Sequence, residues 1–537
     1  MRGIDTAVRR IRRKVFAEVA KLGFEATSET LKDGIESIAY DMVTEDSPRY
    51  RDNMYRERAI VSERVRLAMG MSLRPEDKMV HVTAGVEESN ISEKYYEPPL
   101  MQVIPSACDA CEEKRFQVSD MCKGCVAHPC QEVCPVGAIS MVNGKSCIDP
   151  AKCIKCGKCK NVCPYDAISK IERPCAKACG VNAITSDRFG RAVIDNDKCV
   201  SCGMCMVSCP FGAISDKSQV FQLCRALKEG GKVIAEIAPA FVGQFGEKIT
   251  PRNIKAALQE LGFSEVYEVA LGADIGAIAE AHHYVEKVVT GELPFLLTSC
   301  CPAWSVLAKK YFPDLSEQVS QELTPMVATA RTIKKEHPNA KVVFIGPCVA
   351  KKEEVDSSKE KYVDATITFR ELSSYMKEKD IVLEDIASDD KKLSRLFPKT
   401  GGVIQTMELH PKYEYVSVDG AKACMDVLEE LEQGAMKHIF LEMNICEGGC
   451  LQGPGMPFDK IGRMEVQRKL RNVSGHDYNF DFEHDMQVAS VSFDNLQRNN
   501  IMPSEQQLQE ILFVYCPSLM FPFARRIIAD TTRDASM

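Results

Sequence analysis

The N-terminal segment carries an apolar stripe with helical spacing. Aliphatic side chains recur three or four positions apart at Ile4, Val8, Ile11, Val15, Val19 and Leu22. This spacing places them on one face of a helix. It predicts a helical region over residues 1–98, ended by Pro98 and Pro99. We expect the first helix to pack on the rest of the protein, the alternative being a helix that docks a partner or a membrane surface.

From about residue 220 the pattern changes to short apolar, β-branched runs separated by helical stretches at 251–262, 274–290 and 325–336. The runs are KVIAEIAPAF from Lys232, PFLLTSC from Pro294, KVVFIGPC from Lys341 and HIFLEMNIC from His438. Alternation of this kind predicts an α/β domain. Three runs end on a cysteine, and ligands of open α/β sheets bind beyond the carboxyl ends of the strands. We therefore expect these cysteines to converge on one site.

Composition narrows the class of protein. A chain of 537 residues with 25 cysteines is too long for a small disulfide-stapled scaffold. It contains no apolar run long enough to predict a membrane span, and its basic start is not followed by a signal-peptide apolar region. A net charge of −8 without a basic, aromatic stripe argues against nucleic-acid binding. We expect a cytoplasmic protein whose reduced thiols bind metal.

The cysteines divide the chain into three regions. None precedes Cys108, seventeen lie from Cys108 to Cys209, and eight are spread over the rest. We predict a helical N-terminal region at 1–98, a metal-binding region at 99–218 and a catalytic α/β domain at 219–537.

The middle region contains an internal repeat. Four segments end alike, as CPVGAI from Cys134, CPYDAI from Cys163, CGVNAI from Cys179 and CPFGAI from Cys209. Two copies are complete C-x2-C-x2-C-x3-C motifs, beginning at Cys153 and Cys199. They resemble the half-motif of bacterial ferredoxins, in which thiolates bind 4Fe-4S clusters. The region is therefore predicted to form two tandem ferredoxin-like α+β modules.

Intervals between the motifs indicate how the thiolates pair. Cys134 lies 19 residues before Cys153 and Cys179 lies 20 before Cys199, whereas 36 residues separate Cys163 from Cys199. Short, nearly equal intervals favour pairing within each module. The predicted ligand sets are Cys122, Cys125, Cys130 and Cys163; Cys134, Cys153, Cys156 and Cys159; Cys179, Cys199, Cys202 and Cys205; and Cys108, Cys111, Cys175 and Cys209. Cys147 is spare.

Two alternatives to this pairing stay open. In the first, Cys163 and Cys209 are exchanged directly across the two complete motifs. In the second, Cys108, Cys111, Cys122 and Cys125 form a zinc-ribbon site instead.

Three further sequence blocks contain five of the eight cysteines that follow Cys209. They are TSCCPAW from Thr298, GPCVAKKEE from Gly346 and EMNICEGGCLQG from Glu442. In this order, behind ferredoxin motifs, they resemble the signature blocks of iron-only (FeFe) hydrogenases over about residues 106–516. The resemblance implies a catalytic domain with two lobes of β-sheet flanked by helices.

The same resemblance implies an H-cluster, a 4Fe-4S cubane joined to a di-iron azadithiolate unit with CO and cyanide. The matching positions imply Cys301, Cys348, Cys446 and Cys450 as its ligands, with Cys450 bridging the two parts. Lys351 and the Ala238–Pro239 loop would lie at the cyanides. The glycines around Cys450 are expected to allow close approach of the backbone to the cofactor.

Proton delivery is implied to use Cys300, Glu280, Ser320 and Glu354, with Cys300 as the last donor. Three of the candidate site residues also have a simpler interpretation. Cys300 is then a buried unreactive thiol, Glu280 an exposed helix carboxylate, and Lys351 a solvated lysine.

Three positions depart from the family pattern. His283 replaces a second relay glutamate, and Gly346 and Asn444 each replace a methionine. Histidine still relays protons near neutral pH. Loss of two thioethers changes the surroundings expected for the di-iron unit. These departures resemble the group B hydrogenases.

The predicted function is reversible reduction of protons to dihydrogen. Electrons would come from ferredoxin or a similar soluble carrier, and hydrogenase maturation proteins would install the di-iron unit. Two alternatives are a low-turnover dihydrogen or redox sensor, and an iron–sulfur electron-transfer or assembly protein without the di-iron unit.

Overall fold

The fold is described from a computed structural model of the chain. The structure describes residues 4–93, 95–245, 249–357, 361–381, 383, 391–407, 414–434 and 437–457, with residues 466, 469, 470, 473 and 474 beyond them. These residues fall into two compact units. The first unit comprises Met1–Gly230, Cys348–Ser357 and Arg370–Asp380, and the second comprises Gly231–Pro347, Ser358–Phe369 and Ile381–Met537.

Helices are numbered in chain order. They are α1 (Ala7–Glu25), α2 (Leu31–Met42), α3 (Met54–Ala68), α4 (Val86–Ser89), α5 (Pro129–Glu132), α6 (Lys158–Asn161), α7 (Pro174–Lys177), α8 (Met204–Ser208), α9 (Val220–Glu229), α10 (Pro251–Glu260), α11 (Ala270–Tyr284), α12 (Pro302–Tyr311), α13 (Pro325–Glu336), α14 (Lys351–Ser357), α15 (Phe369–Glu378), α16 (Gly402–Thr406) and α17 (Ala421–Glu432).

Strands follow the same numbering. They are β1 (Met101–Val103), β2 (Arg115–Val118), β3 (Ile139–Val142), β4 (Lys145–Ile148), β5 (Ile168–Ile171), β6 (Ile184–Ser186), β7 (Ala192–Ile194), β8 (Ile214–Asp216), β9 (Val233–Ile237), β10 (Glu265–Glu268), β11 (Phe295–Leu297), β12 (Lys341–Gly346), β13 (Ala365–Thr368), β14 (Glu414–Asp419) and β15 (Ile439–Asn444).

The first unit begins with the predicted helical region. The apolar stripe of α1 buries Val15 and Val19, and this helix packs on α9 and α3. Ile4, at the start of the stripe, stays 61% exposed. The interpretation of α1 as a helix packed on its own protein is therefore confirmed for its central turns.

The cysteine-rich segment forms four short antiparallel pairs, β1 with β8, β2 with β5, β3 with β4 and β6 with β7. Each two-stranded pair is too small to be stable alone. Apolar clusters that include cysteines fill the space between the pairs and the small helices. One contains Phe116, Cys130, Ile139, Cys159 and Ile168. This small α+β pattern agrees with the predicted ferredoxin-like modules.

The second unit holds two parallel sheets. Their strand orders are β10-β9-β12-β13 and β11-β15-β14. The four apolar runs identified in the sequence form β9, β11, β12 and β15, so the α/β prediction is confirmed. The helical stretch predicted at 274–290 is α11 continued by a π-helical turn at Val285–Val289.

Helices of the second unit pack closely where glycine permits. A Cβ on Gly272 of α11 would lie 2.0 Å from the carbonyl oxygen of Pro325, at the start of α13. This contact fixes the position of α11 against α13. Within the described residues, no helix combines the length and apolarity that crossing a membrane requires.

Candidate functional site

Four thiols of the first ferredoxin-like module line one cavity. The side chains of Cys134, Cys153, Cys156 and Cys159 share it with Phe116 and Ile139. This is one of the predicted ligand sets. An apolar hollow ringed by soft sulfur donors fits an iron–sulfur cluster.

Two other thiols of that module, Cys122 and Cys130, lie at Ser146. Its backbone N–H donates to Cys122 Sγ at 3.4 Å, and its hydroxyl lies 3.3 Å from Cys130 Sγ. Cys163 packs against the apolar cluster that contains Cys130. Hydrogen bonds from Ser146 and Gly124 lower the pKa of Cys122, which favours the thiolate that binds metal.

In the second module, Cys205 lies among its predicted partners. Burial raises the pKa of this thiol, and the charges of Cys202, Cys199 and Cys179 add to the rise. The same three cysteines complete the predicted third ligand set. Their role as ligands stays a prediction, and the geometry is compatible with it.

The distant Cys108–Cys111 pair lies with the second module. Burial raises the pKa of Cys175 to about 11, and Cys209 and Cys108 contribute to the rise. Cys209 and Cys108 also raise the pKa of Cys111. The structure thus brings together the four members of the predicted fourth set, whereas a zinc ribbon would unite Cys108 and Cys111 with the thiols around Ser146.

Arg173 explains how so distant a pair is held. Its buried guanidinium donates to the carbonyl oxygen of Cys111 through Nε at 3.1 Å and Nη2 at 2.7 Å. It also donates to Thr185 at 3.1 Å and Gly190 at 2.7 Å. Because Arg173 directly precedes α7, which carries Cys175, one side chain joins both parts of this thiol group.

The first C-x-x-C turn of each of the four motifs, beginning at Cys108, Cys122, Cys153 and Cys199, has the same backbone conformation. The residue before the second cysteine has a left-handed φ of 47–58°, at Ala110, Gly124, Lys155 and Ser201. The residue three positions after the last cysteine of each repeat is also left-handed, at Gly137, Asp166, Asn182 and Gly212. For residues other than glycine this conformation costs about 1–2 kcal/mol. The repeat in the sequence is therefore a repeat in the backbone.

These turns aim backbone N–H groups at sulfur. Donor-to-sulfur distances are 3.3 Å from Ala138 to Cys134, 3.2 Å from Ala183 to Cys179 and 3.4 Å from Ala213 to Cys209. N–H donors stabilise thiolates over thiols. The surroundings of the cysteines therefore fit the iron–sulfur clusters that the spacing predicts. No group of three or more described side chains has the arrangement needed to hold one single metal ion, and the four thiolates of a cubane bind four different irons.

In the second unit, the TSCCPAW block is fixed on β15. Thr298 donates its N–H to Leu441 at 3.0 Å and accepts from the N–H of Met443 at 3.2 Å. The indole of Trp304 donates to the Thr298 carbonyl oxygen at 2.7 Å. These bonds hold Cys300 and Cys301 at the carboxyl end of β11.

Cys300 lies in an acidic, water-poor neighbourhood. Burial, then Glu280 and Glu442, then Cys301 and Cys450, raise the pKa of this thiol well above its ordinary value. Cys300 therefore keeps its proton at neutral pH. Two cysteines predicted to bind the H-cluster are among its neighbours, so the structure brings the predicted last donor and two predicted ligands together.

Glu280 on α11 is buried, with 3% of its surface exposed, so its interpretation as an exposed helix carboxylate is wrong. Its Oε1 accepts from the N–H of Ser299 at 3.1 Å. Its Oε2 is buried and has no hydrogen-bond partner among the described residues. Burial raises the pKa of Glu280 to about 8, so this carboxyl is protonated at neutral pH.

A series of hydrogen bonds links Glu280 to Ser320 through Ser299 and Glu322. Ser299 donates its hydroxyl to the carbonyl oxygen of Glu322 at 2.9 Å, and the N–H of Glu322 donates to Ser320 Oγ at 3.3 Å. Ser320 is buried. The sequence pointed to Glu280 and Ser320 but missed Ser299 and Glu322, although Ser299 lies inside the TSCCPAW block.

Glu442 was also missed as a functional candidate. It is fully buried on β15 and accepts from Gly401 N–H at 2.9 Å and Ile404 N–H at 3.1 Å. The amide of Asn444 donates to it at 3.1 Å. Burial raises its pKa to about 7. Glu442 is the first residue of the third block, and this position could have identified it as a candidate.

Two glycines around Cys450 permit close packing of the protein's own backbone, and their approach to a cofactor stays a prediction. A Cβ on Gly449 would lie 2.6 Å from the carbonyl oxygen of Pro398, and one on Gly453 would lie 2.6 Å from that of Pro347. The close approach is therefore between segments of the protein's own backbone. Gly455 N–H donates to the Pro347 carbonyl oxygen at 2.8 Å, which ties the residue before Cys348 to the segment after Cys450.

The Ala238–Pro239 loop follows β9 and is buried. The N–H of Ala238 donates to Ile345 of β12 at 2.9 Å. At Gly346, where the family usually has methionine, a Cβ would lie 2.4 Å from the ring of Phe344. Aromatic carbon thus fills the space beside this glycine.

Cys348, Lys351 and Glu354 belong to the first unit. Lys351 is 7% exposed and pairs with Glu354 at 2.7 Å, so its interpretation as a solvated lysine is wrong. Lys352 is buried too, bound to Asp216 at 2.8 Å and Glu371 at 2.7 Å.

His283 lies one turn after Glu280 on α11, partly buried. Cys147 is exposed on β4, and Cys224 and Cys424 are buried on helices. Cys516 lies outside the described residues.

Comparisons with known proteins match both regions. The profile of the iron-only hydrogenase large subunit, C-terminal domain, matches residues 231–414 and 406–454, and that of the 4Fe-4S binding domain matches 147–169 and 192–215. A third profile, preprotein translocase subunit SecB, matches residues 465–537, most of which lie outside the described part.

Iron hydrogenase 1 of Clostridium pasteurianum is 29% identical over 374 residues, which cover 58% of this chain and 64% of that protein. The chain thus spans slightly less than two thirds of this relative. A solved FeFe-hydrogenase variant from Chlamydomonas reinhardtii is 21% identical, with a TM-score of 0.38, covering 47% of this chain and 85% of that chain.

The periplasmic Fe hydrogenase large subunit of Nitratidesulfovibrio vulgaris is 30% identical over 376 residues, which cover 58% of this chain and 86% of that protein. With the thiol groups and the three blocks described above, this match identifies the chain as a member of the iron-only (FeFe) hydrogenase family.

Proposed function

We propose that the protein catalyses the reversible reduction of protons to dihydrogen, with electrons relayed through 4Fe-4S clusters. The observation that carries the proposal is the Cys300 neighbourhood. The Cys300 thiol lies within electrostatic range of the buried carboxyl Glu280 and of Cys301 and Cys450, two cysteines of the predicted active-site cluster, and burial together with these groups raises its pKa.

The chain's own residues would hold and move the proton. Cys300 and the Glu280 carboxyl both keep a proton at neutral pH. When Cys300 gives up its proton, the thiolate takes the proton of Glu280, because the pKa of the thiol lies above that of the carboxyl, and the Glu280 carboxylate takes up the next proton. The series of hydrogen bonds through Ser299, Glu322 and Ser320 fixes the orientation of Glu280. Burial excludes water from Glu280, so its proton is available to Cys300 rather than to solvent.

The proposed cofactors are the H-cluster and four accessory 4Fe-4S clusters. Cys301, Cys446, Cys450 and Cys348 would hold the H-cluster, with Ala238, Pro239 and Lys351 as candidates for contact with its cyanide ligands. When bound, this cofactor supplies the redox chemistry that joins two electrons and two protons. The thiols fit it, because soft sulfur is the donor that iron clusters select.

The proposed partners are a ferredoxin-type electron carrier and the maturation proteins that build the di-iron unit. The cytoplasmic location proposed here rests on the many reduced thiols. The family also includes a protein whose name places it in the periplasm.

The decisive experiment compares Cys300→Ala with the matured wild type by infrared spectroscopy in the CO and cyanide stretching region and by dye-driven dihydrogen production. We expect Cys300→Ala to keep the bands and to lose nearly all turnover, at least about 100-fold, because the last proton donor is gone. Cys424→Ala is the control, since it also removes a thiol of the second unit, at a position with no predicted role. It should retain most turnover.

The outcomes separate the candidate functions. Absence of the bands in matured wild type would favour an electron-transfer or assembly protein. Bands with negligible wild-type turnover would favour a sensor. Full turnover in Cys300→Ala would refute the role assigned to this thiol.

A further inference from the structure

The surface above the first complete ferredoxin motif is strongly basic. Between Cys153 and Cys163 the intervening residues include three lysines, and a fourth directly precedes the segment: Lys152, Lys155, Lys158 and Lys160. All four are exposed. No acidic residue occurs from position 150 to position 165. We call these four lysines and the loop that carries them the lysine loop.

The lysine loop directly covers a predicted cluster site. Cys156 is exposed, and it lines the cavity shared with Cys134, Cys153 and Cys159. Ile154, between Lys152 and Lys155, is 59% exposed, and Tyr165, after Cys163, is 44% exposed. An exposed redox site ringed by like charges and a few apolar groups has the features of a surface for transient protein contact.

The charges are not required by the motif. The second complete motif has the same cysteine spacing, but the residues between Cys199 and Cys209 carry no charge. They are Val200, Ser201, Gly203, Met204, Met206, Val207 and Ser208. Cys205 and Cys209 are buried there. Lys198 precedes the second motif as Lys152 precedes the first, so the three lysines between the cysteines, Lys155, Lys158 and Lys160, are what distinguishes the first module.

Within the described residues the lysine loop has little internal charge neutralisation. Lys152 lies 3.9 Å from Asp149, at the limit of an ion pair. Asp149 also accepts from the N–H of Ala151 at 2.9 Å. Opposite charge supplied by a partner would complement this surface and increase the association rate.

We propose that the lysine loop is the docking site of an acidic, one-electron carrier protein, which delivers electrons at the first module. This inference rests on the proposed function. In each encounter the reduced carrier loses one electron and the iron–sulfur site beneath the loop gains it; two encounters supply the two electrons of one dihydrogen. No bond or proton is exchanged between the partners.

The test is binding and electron delivery with an acidic bacterial ferredoxin as the probe. The variant Lys155→Glu/Lys158→Glu/Lys160→Glu reverses three charges of the loop. We expect its dissociation constant for the ferredoxin at low ionic strength to rise about tenfold or more. Wild-type affinity should fall steeply with added salt, and that of the variant should not.

The matched control reverses three exposed lysines elsewhere, as Lys21→Glu/Lys78→Glu/Lys114→Glu. It makes the same change in net charge, so it should bind the ferredoxin nearly as the wild type does. Ferredoxin-driven turnover is expressed relative to dye-driven turnover of the same sample, because a small dye needs no docking surface. A companion variant with glutamine at the three loop positions tests charge loss without reversal.

Each outcome of these measurements supports or refutes either the docking site or the proposed function. Wild-type affinity in the loop variant, or equal weakening in the control, would overturn the docking site. Lack of dye-driven turnover and of infrared bands in the wild type would refute the proposed function, whereas the binding comparison would still report on the loop.

Discussion

The two ferredoxin-like modules share a motif and differ in almost everything around it. In the first, the loop from Cys153 to Cys163 is exposed and basic; in the second, the equivalent loop from Cys199 to Cys209 is uncharged and largely buried. The backbone is nevertheless the same, since Lys155 and Ser201 have φ values of 58° and 52°. The cysteine spacing thus sets the turn, and the residues between the cysteines set where the turn lies.

The N-terminal helices account for the burial of the second module. Ile60 and Leu67 of α3 pack with Cys209 and Ala213 in one apolar cluster. Arg12 of α1 donates to the carbonyl oxygen of Ile214 at 2.6 Å. The first module has no such cover among the described residues. The comparison teaches that the N-terminal region acts as a structural cover for one module and leaves the other available to solvent.

The largest expected effect comes from Arg173, which joins the distant Cys108–Cys111 turn to the second module. Arg173→Met removes its hydrogen bonds to Cys111, Thr185 and Gly190, so three carbonyl oxygens lose a charged donor at a partly buried site. We expect a loss of stability on the order of 3–5 kcal/mol. We also expect iron and acid-labile sulfide to fall by about four atoms each per chain, which is one cubane.

The control for this change is Arg115→Met in the first module. Arg115 is exposed and pairs with Glu112 at 2.7 Å, so its loss should cost about 0–1 kcal/mol and no iron. An unchanged iron content in Arg173→Met would show that the Cys108–Cys111 turn holds its cluster without the arginine, or holds none.

The next largest loss of stability is expected from substituting one of two equivalent glycines. Gly212 and Gly137 occupy equivalent positions after Cys209 and Cys134, with φ values of 64° and 59°. A Cβ on Gly212 would lie 2.6 Å from Val8 Cγ1 and 2.9 Å from Arg64 Nη2, whereas one on Gly137 would meet nothing within 4 Å. We expect Gly212→Ala to cost about 2–4 kcal/mol and Gly137→Ala about 1 kcal/mol.

Thermal unfolding followed by circular dichroism and by loss of cluster absorbance measures both variants. Asp166 and Asn182 adopt the same left-handed φ in the other two repeats, so the backbone cost alone is tolerated. Equal destabilisation by the two alanines would mean that the N-terminal helices do not press on the second module as closely as the structure has it.

Much of the fold follows from local pattern. The runs that form β9, β12 and β15 are apolar and β-branched because they are buried on both faces of parallel sheets, and such runs are legible without a structure. The repeat likewise identified the cluster-binding motifs that begin at Cys153 and Cys199. What the sequence did not reveal was the cover on the second module, because Arg12 and Arg173 reach carbonyl oxygens far along the chain, and no local pattern marks such contacts.

The candidate site likewise contains residues that the sequence identified and residues that it missed. Cys300 lies in a signature block, and the resemblance to the family implied Glu280 and Ser320, which lie outside the blocks. Ser299 and Glu322 escaped, since they act through one backbone group each. Gly449 and Gly453 indicated a close approach, but the sequence could not show that the backbone at Pro398 and Pro347 is one of the groups approached.

The smallest expected effect is a pH dependence that only the second module should show. Lys217, which follows β8, is buried; its Nζ donates to Ser72 Oγ at 2.8 Å and to the Glu97 carbonyl oxygen. Burial lowers its pKa to about 8. Between about pH 8 and pH 10.5 the folded chain has therefore released a proton that the unfolded chain still binds, so stability rises with pH through this window.

Below about pH 8 both states bind the proton, and the cost of burying the charge is fully present. Lys217→Met should flatten the rise by about 1–3 kcal/mol in urea unfolding at pH 7.5, 9 and 10. The exposed Lys158 of the first module is the control, since Lys158→Met removes a charge that folding leaves in water. If Lys217→Met kept the wild-type slope, the buried ammonium would already be solvated in the folded state, and the contrast between a covered and an open module would not extend to this lysine.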